Sequence, residues 1–271
     1  GAAAGPASRA PRCPRAGITL ARAGDMGLFA RGESNAGRRV TEEPEIRDFL
    51  RSIRRSGERV FSLRQIHSHK VLIADGEDPA RISLLEGDGL LSRGSSPCLL
   101  TVTVADCLPV YLWDSRRGGF GIIHSGWRGT GIVREAIRIM GEAFGTAARD
   151  LCVTIGPGIG PCCYEVSEER YNAFRAEFGE EAVRRHGTGR FFLDLVSANL
   201  GMLREAGVAT VLSVEQCTAC TGELGSFRRQ GPRGFTRMLA FIGKGGKHDP
   251  SATIQRADPG AWRHARNFQG A

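Results

Sequence analysis

The stretch CLLTVTVADCLPVYLWDSRRGGFGIIHSGWRGT, Cys98 to Thr130, decides the fold. CLLTVTVAD (98–106), PVYLWD (109–114) and GGFGIIHSG (118–126) are runs of β-branched and apolar residues that suit buried strands. Only Cys107 and Leu108 interrupt the first two, and Ser115 to Gly118 supplies turn residues before the third. A helix is expected next, from about Gly129 to Phe144, with Ile132, Ala136, Ile139 and Ala143 on one face.

Downstream, LCVTIG reads as a strand that ends at GPGIGPCCYEV, where glycines and prolines exclude regular structure across the loop. Helices fit Ser167 to Phe178 and Asp194 to Ala206, and VATVLSVEQ and TRMLAFIG read as late strands. Upstream, TEEPEIRDFLRSIRR (41–55) has an acidic start and a basic end, the charge order a helix dipole favours. VFSLRQIH and KVLIA read as strands joined by a tight turn. Strand runs with helices between them indicate an α/β or α+β domain.

A chain of 271 residues is long enough to bury a sizeable core. No apolar run approaches the roughly 18–20 residues that cross a bilayer, so no membrane association is expected. Residues 1–17, rich in Ala, Gly and Pro, lack an apolar signal region and read as a disordered extension. Residues 18–243 read as one catalytic domain and 244–271 as a polar tail. The net charge of +8 suits an anionic ligand, but arginines crowd the ends and no basic block is interleaved with aromatics. Nucleic acid is therefore not an expected partner. Eight cysteines without a regular framework or a signal peptide point to free thiols in a cytoplasmic protein.

Three segments end in reactive side chains: RQIHSH at His67, VADCLP at Asp106 and Cys107, and IIHSGWRG at His124. Strand ends let a rigid scaffold present such groups. Two imidazoles and one thiolate form a zinc site with a fourth position open. The same atoms without metal could serve as a thiolate activated by a neighbouring imidazole. Taken singly, each residue also suits a packed core position. Cys217-Thr-Ala-Cys220 is a C-x-x-C and Cys162-Cys163 a vicinal pair, which together could hold a second, structural zinc, although a lone C-x-x-C is a weak signal.

Five motifs follow in order. They are Gln65-Ile66-His67-Ser68, Val104-Ala105-Asp106-Cys107-Leu108-Pro109, and His124-Ser125-Gly126-Trp127-Arg128-Gly129-Thr130. The fourth runs from Ile155-Gly156-Pro157 to Cys162-Cys163-Tyr164-Glu165-Val166, and the fifth joins Cys217-Thr218 to Ser226-Phe227-Arg228-Arg229. Together they resemble the YfiH-type family of multicopper polyphenol oxidoreductase, or laccase-domain, proteins. The resemblance implies a four-layer α/β/β/α fold related to cysteine hydrolases. It also implies that His67, Cys107 and His124 bind zinc. Ser68, Gln230 and Phe235-Thr236-Arg237 depart from the family pattern, and Arg22, Gly24 and Asn35 match its amino-terminal part only loosely.

The implied activity is phosphorolysis of purine nucleosides (adenosine, inosine, methylthioadenosine) with phosphate as co-substrate, together with adenosine deamination. Peptidoglycan editing, as a hydrolase or a binding protein, and copper-dependent phenol oxidation are the alternatives. True multicopper chemistry needs many imidazoles, and this chain has six His, of which His186, His248 and His264 lie outside any motif. Arg128, Arg228 and Arg229 are candidates for phosphate, the last two read as adjacent residues of a late strand, so that one of them faces the site. Asp106 or Glu165 is a candidate for proton handling, with the alternative that Asp106 orients a neighbour.

Overall fold

The computed structural model describes residues 13–29, 43–187, 189–244 and 268–269. A small sheet joins strands β1 (Arg15–Ile18), β2 (Arg59–Phe61), β5 (Cys98–Val104) and β13 (Met238–Gly243) in the order β1-β13-β5-β2. The large sheet contains β3 (Val71–Ile73), β4 (Gly89–Ser92), β6 (Leu108–Asp114), β7 (Phe120–Ser125), β8 (Leu151–Ile155), β12 (Thr210–Ser213) and β14 (Phe268–Gln269). Its order is β14-β12-β8-β6-β7-β4-β3. β9 (Glu165–Val166), β10 (Val183–His186) and β11 (Arg190–Leu193) make a separate antiparallel ribbon. The helices are α1 (Pro44–Ile53), α2 (Pro79–Ile82), α3 (Ile132–Phe144), α4 (Glu168–Phe178), α5 (Leu195–Glu205) and α6 (Phe227–Gln230).

Three apolar clusters define four layers. Side chains alternate across a strand, so β13 sends Met238, Ala240 and Ile242 between the two sheets and Leu239 toward α1, where Ile46 and Leu50 meet it. On the large sheet, Tyr111 of β6 and Phe120 and Ile122 of β7 join that inter-sheet core. Leu108, Val110, Leu112 and Ile123 point the other way, against α3 and α5. The order helix, sheet, sheet, helix is the expected α/β/β/α arrangement.

Local signals set the helices. Ser167 caps α4 by accepting from Arg170 N–H, and Asp194 caps α5 by accepting from Ser197 N–H. Helix α3 ends at Gly145, whose φ of 68° suits glycine. Its buried face contains Ile132 and Ala136 as expected but continues through Val133, Met140 and Phe144, leaving Ile139 and Ala143 on the flank.

Two expectations are corrected. VFSLRQIH and KVLIA do not form a hairpin: β2 runs parallel to β5 in the small sheet, and β3 runs parallel to β4 in the large one. Residues 62–70 therefore cross from one sheet to the other. The supposed extension also ends earlier than residue 17. Arg15–Ile18 pairs antiparallel with β13, and Tyr111 Oη donates to Gly17 O at 3.0 Å. Residues 1–12 and most of the expected tail lie outside the described residues, but Phe268 and Gln269 pair with β12.

Candidate metal centre and its cavity

The three expected ligands converge. A ring nitrogen each from His67 and His124 and Sγ of Cys107 lie within 4.8 Å of one another. Each arrives by its own route. His67 sits in the 62–70 crossing, Cys107 in the short break where the chain passes from β5 to β6, and His124 near the end of β7. Among the described residues, the non-glycine residues with positive φ are His67 (59°) and Asp106 (88°), which flank this point. His and Asp tolerate that region better than most residues, and strain of this kind gathers at functional sites.

A carboxylate that the sequence reading passes over organises the group. Asp88, fully buried, lies between Gly87 and Gly89, and its Oδ1 is 2.8 Å from His124 Nδ1. Oδ1 also accepts the His67 N–H at 3.0 Å, and Oδ2 accepts the N–H of Ile66 at 3.2 Å and of Ser68 at 2.7 Å. One side chain thus orients an imidazole and shapes the backbone that presents the other. With Nδ1 engaged, Nε2 of His124 faces Cys107, the outer-shell arrangement typical of metal-binding histidines. Gln65 fastens the same crossing to β5: its Oε1 accepts from Thr103 N and Oγ1 at 2.7 and 2.9 Å, and its Nε2 donates to Thr103 O at 2.9 Å.

Electrostatics favour an ionised sulfur. Burial opposes the charge on Cys107, yet the charge and hydrogen bond of His124, with the hydrogen bond of His67, bring its thiol down to about 6. Burial likewise disfavours the His124 cation, but the Cys107 thiolate and Asp88 raise its pKa to about 10. Burial works against Asp88 as well, and His124 and Ser68 hold its carboxyl below the usual range. The donors fit zinc, which takes nitrogen and sulfur ligands. Space is reserved for them at Gly126, where a Cβ would lie 2.6 Å from Cys107 Sγ.

The group opens into a cavity of about 740 Å³, within the range of small-molecule sites. Trp127, Tyr164, Phe227 and Phe235 contribute aromatic walls, and Arg64, Arg170, Arg228 and Arg237 contribute positive charge. Two of these arginines are committed, Arg64 to Glu86 and Arg237 to Asp25. Arg170 stacks on Trp127, 4.1 Å from the ring centroid. Arg228 donates to the carbonyls of Cys163 and Glu165, each at 3.0 Å, and lies over the Tyr164 ring.

The sequence profile of the multi-copper polyphenol oxidoreductase laccase family matches residues 21–244. The chain belongs to this family. The purine nucleoside phosphorylase YlmD of Geobacillus stearothermophilus is 38% identical over 165 residues, 58% of this chain and 60% of that protein. The match thus spans less than two thirds of that relative's length. A purine nucleoside phosphorylase of Clostridium acetobutylicum is 34% identical over 66% of this chain and 75% of its own. Adenosine deaminase RL5, from an unknown prokaryotic organism, is 33% identical over 58% and 64%. Among solved structures, Bacillus licheniformis YfiH superposes with a TM-score of 0.72 at 26% identity, covering 85% of this chain and 92% of YfiH. G. stearothermophilus YlmD gives 0.71 at 29%, covering 89% and 98%.

Within this laccase-domain fold, several expected site residues are placed differently. Arg228 and Arg229 lie on the short helix α6, which Ser226 caps, and not on a strand. Arg229 is taken up by the carbonyls of Thr218, Ala219, Thr221 and Leu224, so it clasps a loop. Arg128 stacks on Trp127 and is absent from the cavity lining. Asp106 lines the cavity, but both its oxygens are engaged: Oδ1 accepts from Thr218 Oγ1 at 2.6 Å and Oδ2 from Arg228 N–H at 2.7 Å. Glu165 is exposed and paired with Arg190 outside the cavity. Arg170 left no readable signal in the sequence, because it occupies an ordinary position on α4. Asp88 did leave one, an acidic residue between glycines in GDG.

Proposed function

We propose that this chain is a zinc-dependent purine nucleoside phosphorylase that also deaminates adenosine. The observation that carries this reading is the convergence of His67, Cys107 and His124 on an aromatic-walled cavity that also holds Arg170 and Arg228. Relatives named for both activities support it.

His67, Cys107 and His124 would hold the zinc, and zinc so held supplies Lewis acidity and brings the pKa of water near ~7. The protein's own residues do the rest. Trp127, Tyr164, Phe227 and Phe235 offer flat apolar faces to a purine. Arg170 and Arg228 offer N–H donors to phosphate. In phosphorolysis a phosphate oxygen bonds to C1′ of the sugar while the glycosidic bond breaks and its electron pair leaves with the base. Holding both partners in one cavity lowers the entropic part of that barrier. Asp88 keeps His124 in one tautomer, and Asp106 secures the backbone that carries Arg228. A multicopper centre would need more imidazoles than the two in this group, which weighs against phenol oxidation. The eight cysteines are unpaired in the structure, which supports a cytoplasmic setting. Among the described residues no helix is long and apolar enough to cross a membrane.

The test is release of base from inosine and adenosine, and of ammonia from adenosine, with and without phosphate and with metal content measured. Phosphate-dependent base release that disappears in Cys107→Ala is expected. Unchanged turnover in that variant, or no turnover of either nucleoside by zinc-loaded protein, overturns the reading.

A further inference from the structure

Outside the cavity lining, Cys162, Cys163, Cys217 and Cys220 bring all four sulfur atoms within 4.8 Å of one another. Cys220 Sγ lies 3.7 Å from Cys162 Sγ and 3.3 Å from Cys163 Sγ. Four sulfurs placed ~2.3 Å from a common centre form a tetrahedron with edges of ~3.8 Å, and the two spacings lie at or slightly below that edge, close to a zinc-sized site.

The backbone builds this cluster from two distant loops. Gly158 bridges to Cys217, and Thr218 N–H donates to Gly158 O at 3.0 Å, which aligns the loops side by side. Each loop then turns sharply. Cys163 and Tyr164 both donate to Gly160 O at 3.0 Å, and Cys220 and Thr221 donate to Cys217 O at 3.2 and 3.0 Å. The second turn is the C-x-x-C, which brings its two sulfurs to the same side. Gly160 N–H donates to Cys217 Sγ at 3.2 Å, and the N–H groups of Ala219 and Cys220 also approach that sulfur. Several N–H donors converging on one sulfur suit a thiolate ligand more than a neutral thiol. Burial gives no competing explanation, because Cys162 and Cys220 are exposed, whereas cysteines kept only for packing are buried.

We propose that Cys162, Cys163, Cys217 and Cys220 hold a second zinc ion in a closed four-sulfur site, separate from the His67–Cys107–His124 group. Binding releases the thiol protons to solvent and forms four Zn–S bonds, with no change of oxidation state. Four protein ligands leave no open position, so this zinc is structural. Its effect reaches the cavity. Cys163 precedes Tyr164, and the Cys163 carbonyl accepts from Arg228, while Thr218, inside the C-x-x-C, donates to Asp106. Closing the sulfur cluster therefore fixes one wall of the cavity.

The test is the zinc content of full-length protein prepared under reducing conditions, in a Cys107→Ala background that disables the first group. One zinc per chain is expected to remain, and Cys220→Ser, at an exposed position, is expected to remove it. Cobalt loaded into Cys107→Ala is expected to show the intense sulfur-to-cobalt charge-transfer absorption of a four-thiolate site, a readout that does not depend on activity. Circular dichroism of the serine variant distinguishes loss of metal from loss of fold. If Cys220→Ser does not fold, release of one zinc on thiol modification of folded Cys107→Ala reports the same site. A Cys107→Ala chain with no zinc and four freely reactive thiols would falsify the proposal. Iron in place of zinc, or a disulfide within the cluster in reduced protein, also overturns it.

Discussion

The carboxylate of Asp88 and the imidazole of His124 meet 2.8 Å apart in a place where Asp88 has no exposure to solvent at all. The same carboxylate holds three consecutive N–H groups, from Ile66 to Ser68. Its loss is therefore expected to act on both imidazoles at once.

Asp88→Asn keeps the shape but places an amide where the site requires acceptors. Metal affinity is expected to fall ~10–100-fold, the usual cost of losing an outer-shell partner. Competition with a chromogenic chelator measures it, and an unchanged affinity would contradict the role given to Asp88.

Alkylation of Cys107 in metal-stripped protein is expected to follow the thiolate. The folded pKa of about 6 lies below the ordinary thiol value of 9.0, so reactivity toward iodoacetamide should persist at neutral pH and fall as pH drops through about 6. The sign for stability is the same. A depressed acid contributes stability that is fully present above its unfolded pKa and is lost as pH falls through the folded one. Mass spectrometry of the alkylated Cys107 peptide across pH gives the curve. A midpoint near 9 would show that His124 and His67 do not stabilise the thiolate, and added zinc is expected to suppress the reaction.

Arg170→Ala and Arg228→Ala are expected to raise the KM for phosphate ~10-fold or more, since charge-assisted hydrogen bonds contribute about 1.5–3 kcal/mol each. Arg229→Ala should behave otherwise. Its guanidinium lies outside the cavity lining and is held by four loop carbonyls, so a lower melting temperature with a nearly unchanged KM is expected. Initial rates at varied phosphate, together with thermal denaturation, separate the two behaviours.

Gly126→Ala would place a methyl group 2.6 Å from Cys107 Sγ. The sulfur has to move, so reduced zinc occupancy with an intact far-ultraviolet circular dichroism spectrum is expected. Full occupancy in this variant would show that the three donors have slack the geometry does not suggest.

What could be read from the sequence was local. The β5, β6 and β7 runs announce themselves by composition, and α4 and α5 by the caps Ser167 and Asp194. Pairing was harder to read. β2 looks like the first arm of a hairpin, yet its partner is β5, with Phe61 opposite Leu100. β1, with the sequence RAGI, has little strand propensity of its own and takes its order from β13 and the Tyr111 hydroxyl. The convergence of His67, Cys107 and His124 was legible because their motifs are distinctive. GDG marks Asp88 as unusual, but its role is not legible there, since the groups it holds lie 20 to 36 residues away. Arg228 and Arg229 belong to a helix and not to a strand because Ser226, a good N-cap, stands before them.

His67 and Cys107 both ride on connections that carry the chain from the small sheet to the large one, while His124 belongs to the large sheet itself. Whatever grips all three acts as a rivet through the sandwich. If one sheet slides past the other, the grip loosens; if the grip tightens, sliding stops. Affinity for the ion and resistance of the two layers to shear are then a single free energy observed in two ways.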